Sequence, residues 1–167
     1  MKKLLAILII SMTSCSVLAQ TSIESYERKL EDLIYEEKSN EALALANIAI
    51  SEYPNEAEFY LYRGQVQEDL GNKRAALADY DKAIQLNPKN DETYFYRGAL
   101  KHDMNSPQSA YKDLTTCIQI NPKNHHCYSL RAIVRLGLGD MNGYTSDMYK
   151  AKKYLEETPE FKIFTTK

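Results

Sequence analysis

The hexapeptide QLNPKN at 85–90 returns as QINPKN at 119–124, and one step of 34 residues back from Pro88 lies Pro54. A period of this length constrains the fold more tightly than composition does. A chain built from one supersecondary unit must bury the apolar face of each copy against its neighbours. Set in rows of 34, the chain aligns without gaps. One column holds Ala42, Ala76 and Ala110, and another Ala49, Ala83, Cys117 and Ala151. A third holds Gly64, Gly98 and Ala132, each directly after Arg63, Arg97 or Arg131. Tyr26, Tyr60, Tyr94 and Tyr128 share a column, as do Asp79, Asp113 and Asp147.

Each row reads as helix, turn, helix. AEFYLYRGQVQEDLGN places apolar and aromatic residues three and four apart and closes on Gly71-Asn72, a C-terminal stop. KRAALADYDKAIQLNP restarts a second amphipathic helix, which Asn87-Pro88 ends because proline cannot continue the hydrogen-bond pattern. Small residues at Gly64 and Ala76 let the two helices approach, and Tyr60 and Tyr80 fill the space beside them. The pattern predicts an all-α chain of stacked helix hairpins.

These columns resemble the tetratricopeptide repeat family. Its aromatic, its Leu-Gly pair and its later alanine, aromatic and proline are matched by Tyr60, Arg63-Gly64, Ala76, Tyr80, Ala83 and Pro88. The next row supplies Tyr94, Arg97-Gly98, Ala110, Leu114, Cys117 and Pro122, and the last Tyr128, Arg131-Ala132, Gly139, Met148 and Ala151, with Glu156 in place of proline. A weaker first row rests on Tyr26, Leu30, Ala42, Ala49 and Pro54. The resemblance implies a helix-turn-helix solenoid over 22–158, with repeats at about 23–56, 57–90, 91–124 and 125–158 and a tail at 159–167. Arginine stands where the family usually has leucine, and each is expected to pair with Asp79, Asp113 or Asp147 of its own hairpin.

The resemblance also implies a scaffold for peptides or proteins, without a cofactor or a chemistry of its own. In that fold the concave surface comes from the first helix of each repeat. Here that surface is expected to carry Glu24, Glu27, Glu31 and Tyr35, then Leu61, Gln65 and Glu68, then Phe95, Ala99 and His102, then Ser129 and Ile133. The result is an acidic groove with an apolar centre. Leu61, Phe95 and Ile133 either form an exposed apolar line or cover one another between adjacent helices. Family members that grip a C-terminal carboxylate use lysines and asparagines at places held here by Leu61, Gln65, Phe95 and Ala99. A peptide carboxylate would meet repulsion in such a groove.

The first 19 residues, MKKLLAILIISMTSCSVLA, have two lysines, an apolar run and small residues, the layout of a secretory signal. Two processing readings compete: cleavage after Ala19, or lipid modification of Cys15 at a degenerate lipobox. Either predicts export, to the periplasm or outside the cell, or as an envelope lipoprotein. Removing residues 1–19 takes two lysines from a chain with 21 basic and 23 acidic side chains, so the mature protein is more acidic than the whole chain's net −2. That balance argues against nucleic-acid binding, which needs clustered basic residues.

Other constellations have plainer readings. Cys117, His125, His126 and Cys127 lack paired zinc-ligand spacing, so no metal is expected. The segment GLGDMNG at 137–143 follows no strand and reads as a turn, not a phosphate loop. The glutamates fall on exposed helix faces, with no nucleophile beside its own base, so no catalytic residue and no small-molecule substrate are assigned. Cys117 and Cys127 are left as an even pair for an oxidising compartment: either they bond, or they serve as small buried residues. Phe161, Ile163 and Phe164 in the tail either fold back over Met148 and Tyr154 or seat against a second copy, making a homodimer through the C-terminal end. The leading function is a protein–protein interaction scaffold of the cell envelope that binds its partner in the groove. The alternative is an assembly factor or complex subunit that uses the solenoid ends, and a third reading is an enzyme with an unrecognised carboxylate site.

Overall fold

The computed structural model describes residues 20, 22–159 and 161. Among these the chain is helical throughout, with no strand. Helix α1 covers residues 22–35, followed by α2 (Ser39–Glu52), α3 (Ala57–Asp69), α4 (Lys73–Leu86), α5 (Asp91–Asp103), α6 (Pro107–Ile120), α7 (His125–Gly137) and α8 (Met141–Glu157). Consecutive helices pack as hairpins, and each hairpin packs on the next, giving an all-α solenoid. Residues 1–19, with Cys15, lie outside the described residues, as do Ile163 and Phe164 of the tail.

The turn inside each hairpin repeats down to single hydrogen bonds. Glu37, Gly71, Asn105 and Gly139 share one column, and all four adopt positive φ, at 55°, 79°, 56° and 82°. That left-handed residue lets two amides reach back to the orphan carbonyls at the helix end. Gly71 N–H donates to Glu68 O and Asn72 N–H to Gln67 O, both at 2.8 Å; Glu37 with Lys38, Asn105 with Ser106, and Gly139 with Asp140 make the same pair. Glycine fits this conformation freely, asparagine tolerates it, and glutamate is the strained choice. At the turns between hairpins, the amides of Tyr53, Asn87 and Asn121 close on Ala49, Ala83 and Cys117 carbonyls at 2.8 Å. Asn90 and Asn124 then cap the following helices by accepting from Thr93 N–H (3.1 Å) and Cys127 N–H (3.2 Å).

Within the hairpins, close approach explains the glycine column. A Cβ on Gly64 would sit 2.5 Å from Cε1 of Tyr80, and one on Gly98 would sit 3.1 Å from Cγ of Leu114. The arginine column forms the expected forks. Arg63, Arg97 and Arg131 each present Nε and Nη2 to both carboxylate oxygens of Asp79, Asp113 and Asp147, at 2.6–2.9 Å. Each fork also has a third arm that the sequence reading missed. Nη1 reaches back to the preceding hairpin, to Asn47 (2.9 Å), Asp81 (2.7 Å) and Thr115 (3.2 Å), and these acceptors are themselves 34 residues apart. Each of these three arginines therefore ties its own second helix to the one before it, using a planar donor set that lysine lacks.

Cys117 on α6 and Cys127 on α7 are joined in a disulfide, with a Cα–Cα separation of 6.4 Å. The pair occupies the columns of Ala49 with Phe59 and of Ala83 with Thr93, so a covalent bond stands where the earlier joints have side-chain packing.

Candidate functional site

The curvature of the array selects the face that can hold a partner. Among the described residues, the backbones of α3 and α5 and of α5 and α7 approach closely, whereas those of α2, α4, α6 and α8 stay apart from one another. The first helices are thus crowded on the inside of the curve, and their outward faces form the concave surface.

Two clefts meet on this surface. One, of about 310 Å³, is lined by Glu31, Ile34, Tyr35, Tyr62, Gln65, Glu92 and Tyr96. The other, of about 330 Å³, is lined by Asp91, Glu92, Phe95, Tyr96, Asn124 and His126. Glu92 and Tyr96 belong to both, so one depression runs across α1, α3, α5 and α7. Its aromatic walls are held in place from beneath. Tyr96 stacks on the buried Tyr80 at 6.3 Å between ring centroids, and Phe95 meets Tyr96 edge-on at 5.3 Å and His126 at 5.9 Å. Tyr62 O–H donates to Glu31 Oε1 at 2.7 Å, linking α3 to α1. Asn90 Nδ2 donates to Glu58 Oε1 at 2.8 Å, and Asn124 Nδ2 to Asp91 Oδ2 at 2.7 Å.

The electrostatics are one-sided. Partial burial, then the charges of Glu58, Asp91 and Glu31, hold the Glu92 carboxyl above its ordinary pKa. Burial raises Glu58 as well, against the opposing hydrogen bond from Asn90, and burial with Glu56, Glu58, Glu31 and Glu24 raises Glu27. Burial followed by the Glu31 hydrogen bond pushes the Tyr62 phenol far up. Among the described residues, no lysine or arginine pairs with Glu27, Glu31, Glu58 or Glu92, whereas the forks neutralise Asp79, Asp113 and Asp147.

The residues expected to line the groove divide. Tyr35, 90% exposed, and Gln65 line the first cleft, and Phe95 lines the second. Leu61 is a correction: at 1% exposure it lies in the core with Tyr60, Tyr80 and Leu100. Tyr96 of the next repeat packs against that cluster, so Leu61 is roofed over and the exposed apolar line does not exist. Phe95 likewise gives part of its surface to the cluster of Ala110, Leu114 and Val134. Ala99 and His102 are half-buried and line neither cleft. Ser129 turns its hydroxyl onto His125 O at 2.9 Å, and Ile133 is half exposed outside both clefts. The sequence reading missed Glu58, Tyr62, Glu92 and Tyr96. The same 34-residue ruler could have found them, since Glu24, Glu58 and Glu92 form one column and Tyr62 and Tyr96 another.

Among the described residues, no group of three or more histidines, cysteines or acids could hold a metal ion. No helix among them is long and apolar enough to cross a membrane.

Residues 57–90 match the tetratricopeptide repeat family model. The chain has the tetratricopeptide-repeat fold. A comparison with curated protein sequences finds no match. Among solved structures, the chain is similar to a crystal structure of MamA at 20% identity and a TM-score of 0.73, covering 81% of this chain and 79% of that one. It is also similar to the first tetratricopeptide domain of Spaghetti (RPAP3) bound to the HSP90 peptide SRMEEVD, at 19% identity and a TM-score of 0.66, covering 70% and 93%. The tetratricopeptide domain of Arabidopsis OM64 aligns at 21% identity and a TM-score of 0.65, covering 69% and 95%. At these identities the likeness is one of fold, and the tetratricopeptide groove has its own side chains.

Proposed function

We propose that the chain is an exported interaction scaffold of the cell envelope that holds a stretch of a partner protein in the depression across α1, α3, α5 and α7. The single observation behind this reading is that Glu92 and Tyr96 line both clefts, making one surface long enough for a peptide. Solenoids of this kind use their concave faces for binding. Export is supported by the leader at residues 1–19 and suits a disulfide between Cys117 and Cys127. The Spaghetti (RPAP3) domain holds a peptide whose sequence, SRMEEVD, is acidic. The acidic groove here disfavours such a ligand, so the scaffold is read as serving a different class of partner.

Affinity capture from envelope extract, followed by mass spectrometry, tests the proposal when wild type is compared with Glu92→Arg. Partners that remain on the variant in wild-type amounts overturn the groove reading. A second reading, an assembly factor working through the solenoid end, is favoured by Leu136, Leu138, Met141 and Leu155, each 39–56% exposed on α7, α8 and the turn between them. Under that reading, capture survives Glu92→Arg and is lost on Met141→Asp.

A further inference from the structure

The first cleft has a chemistry that the proposed function does not by itself require. Three tyrosine rings, Tyr35, Tyr62 and Tyr96, share it with two carboxylates, Glu31 and Glu92. Tyr35 projects into solvent at 90% exposure with its ring uncovered. Glu92 makes no hydrogen bond or ion pair among the described residues, and the negative charges of Glu58, Asp91 and Glu31 act on it. Glu31 accepts only from Tyr62, which leaves acceptor capacity on its carboxylate.

The protein spends this charge without a partner of its own. The three buried aspartates of the fork column are each matched by an arginine, whereas Glu31 and Glu92 lie without a cation beside the open aromatic faces of the cleft. Tyrosine faces attract a cation within about 6 Å, and carboxylates fix its hydrogen-bond donors. The same fold supplies an internal precedent in its own arginines. Arg63, Arg97 and Arg131 each lie 5.6 Å from the ring centroid of a tyrosine, Tyr60, Tyr94 or Tyr128, while forking an aspartate.

We infer that the cleft between Tyr35, Tyr62 and Tyr96 receives a basic side chain, arginine or lysine, of the partner peptide, with Glu31 and Glu92 as its counter-charges. This rests on the groove reading above and narrows it to a cationic peptide segment. The remainder of the peptide lies over Phe95 and His126 in the second cleft.

A phage-displayed library of random peptides panned on the full-length chain tests both levels. Enriched sequences are expected to share an arginine or lysine at one position. A synthetic peptide of the enriched sequence should lose about tenfold or more in affinity when that residue becomes citrulline or acetyl-lysine. It should lose as much against the Glu31→Gln, Glu92→Gln double variant, whose helical signal is unchanged. Enriched peptides without a basic residue, or with undiminished affinity for the double variant, overturn this inference. If those peptides still lose affinity on Tyr96→Ala, the groove reading stands without it. A library that yields no groove-binding peptide overturns both.

Discussion

The first hairpin and the second are built to one plan from opposite materials. In α3–α4 the first helix contributes Gly64 and the second contributes Tyr80, whose ring lies where a Cβ on Gly64 would be. In α1–α2 the same columns hold Leu30 and Ala46, both fully buried in one cluster. The knob has moved to the other helix, and the gap between the helices is filled from the other side. The polar fork goes with it: Lys29 and Leu45 stand in the columns of Arg63 and Asp79. The comparison teaches that what recurs in this solenoid is the summed volume at a contact, not the identity of a residue. It also shows that the arginine–aspartate fork is not needed to close a hairpin, in keeping with the modest net worth of buried ion pairs.

Exchanging the two materials gives the largest effect. Gly64→Leu drives a side chain into Tyr80 and should cost about 3 kcal/mol or more, read as a fall in the urea midpoint. Adding Tyr80→Ala reproduces the first hairpin's arrangement and should restore most of the loss. A double variant no better than the single one would disprove the volume exchange.

The forks come next. Asp147→Ala leaves Arg131 and Arg135 facing an empty, buried position, at a cost of about 3 kcal/mol. Lys29→Ala, in the column of Arg131 in the first hairpin, should change stability by less than about 0.5 kcal/mol. Equal costs at the two sites would erase the distinction drawn between the hairpins.

The turns separate the hairpins more gently. Glu37→Gly should raise stability by about 1 kcal/mol by relieving the left-handed backbone, and Gly71→Ala should lower it by a similar amount. Thermal melts of the two variants moving in the same direction would contradict this.

The smallest effect is the pH response of the groove. Glu27, Glu58 and Glu92 bind protons more readily in the folded chain than in the unfolded one, because burial and neighbouring acids raise them above the ordinary carboxylate value of 4.5. Their contribution therefore becomes more favourable as the pH falls from neutral through the folded values, and levels off below the unfolded ones. Glu92→Gln should be slightly more stable than wild type at neutral pH, with the gap closing toward pH 4.5. A gap that widens as the medium is acidified would reverse the assignment.

Much of this was legible in the spacing of small residues. Gly64, Gly98, Ala76 and Ala110 mark where helices touch, and the period carries the hairpin count because each contact must recur. The Arg63–Asp79 pairing was legible for the same reason. Its third arm to Asn47 was not, since that acceptor varies through Asn47, Asp81 and Thr115 and keeps only its position. The groove was half legible. Its acidity follows from composition along the first helices. Whether Leu61 or Tyr62 faces the partner depends on how far the next hairpin leans over, a rotation of about 100° between neighbouring residues of a helix. Periodicity within one helix does not report that lean.

The bond between Cys117 and Cys127 makes the last joint of the solenoid unlike the others. The turns between hairpins end in exposed peptide, and Asn121, Pro122 and Lys123 all face solvent. A protease that nicks the chain there would produce one covalent molecule, because the disulfide spans the cut. The same nick at Pro54-Asn55 would leave only non-covalent contacts between two separate fragments. The terminal hairpin is thus retained after backbone scission for as long as its surroundings stay oxidising, and its loss requires a reductant as well as a protease.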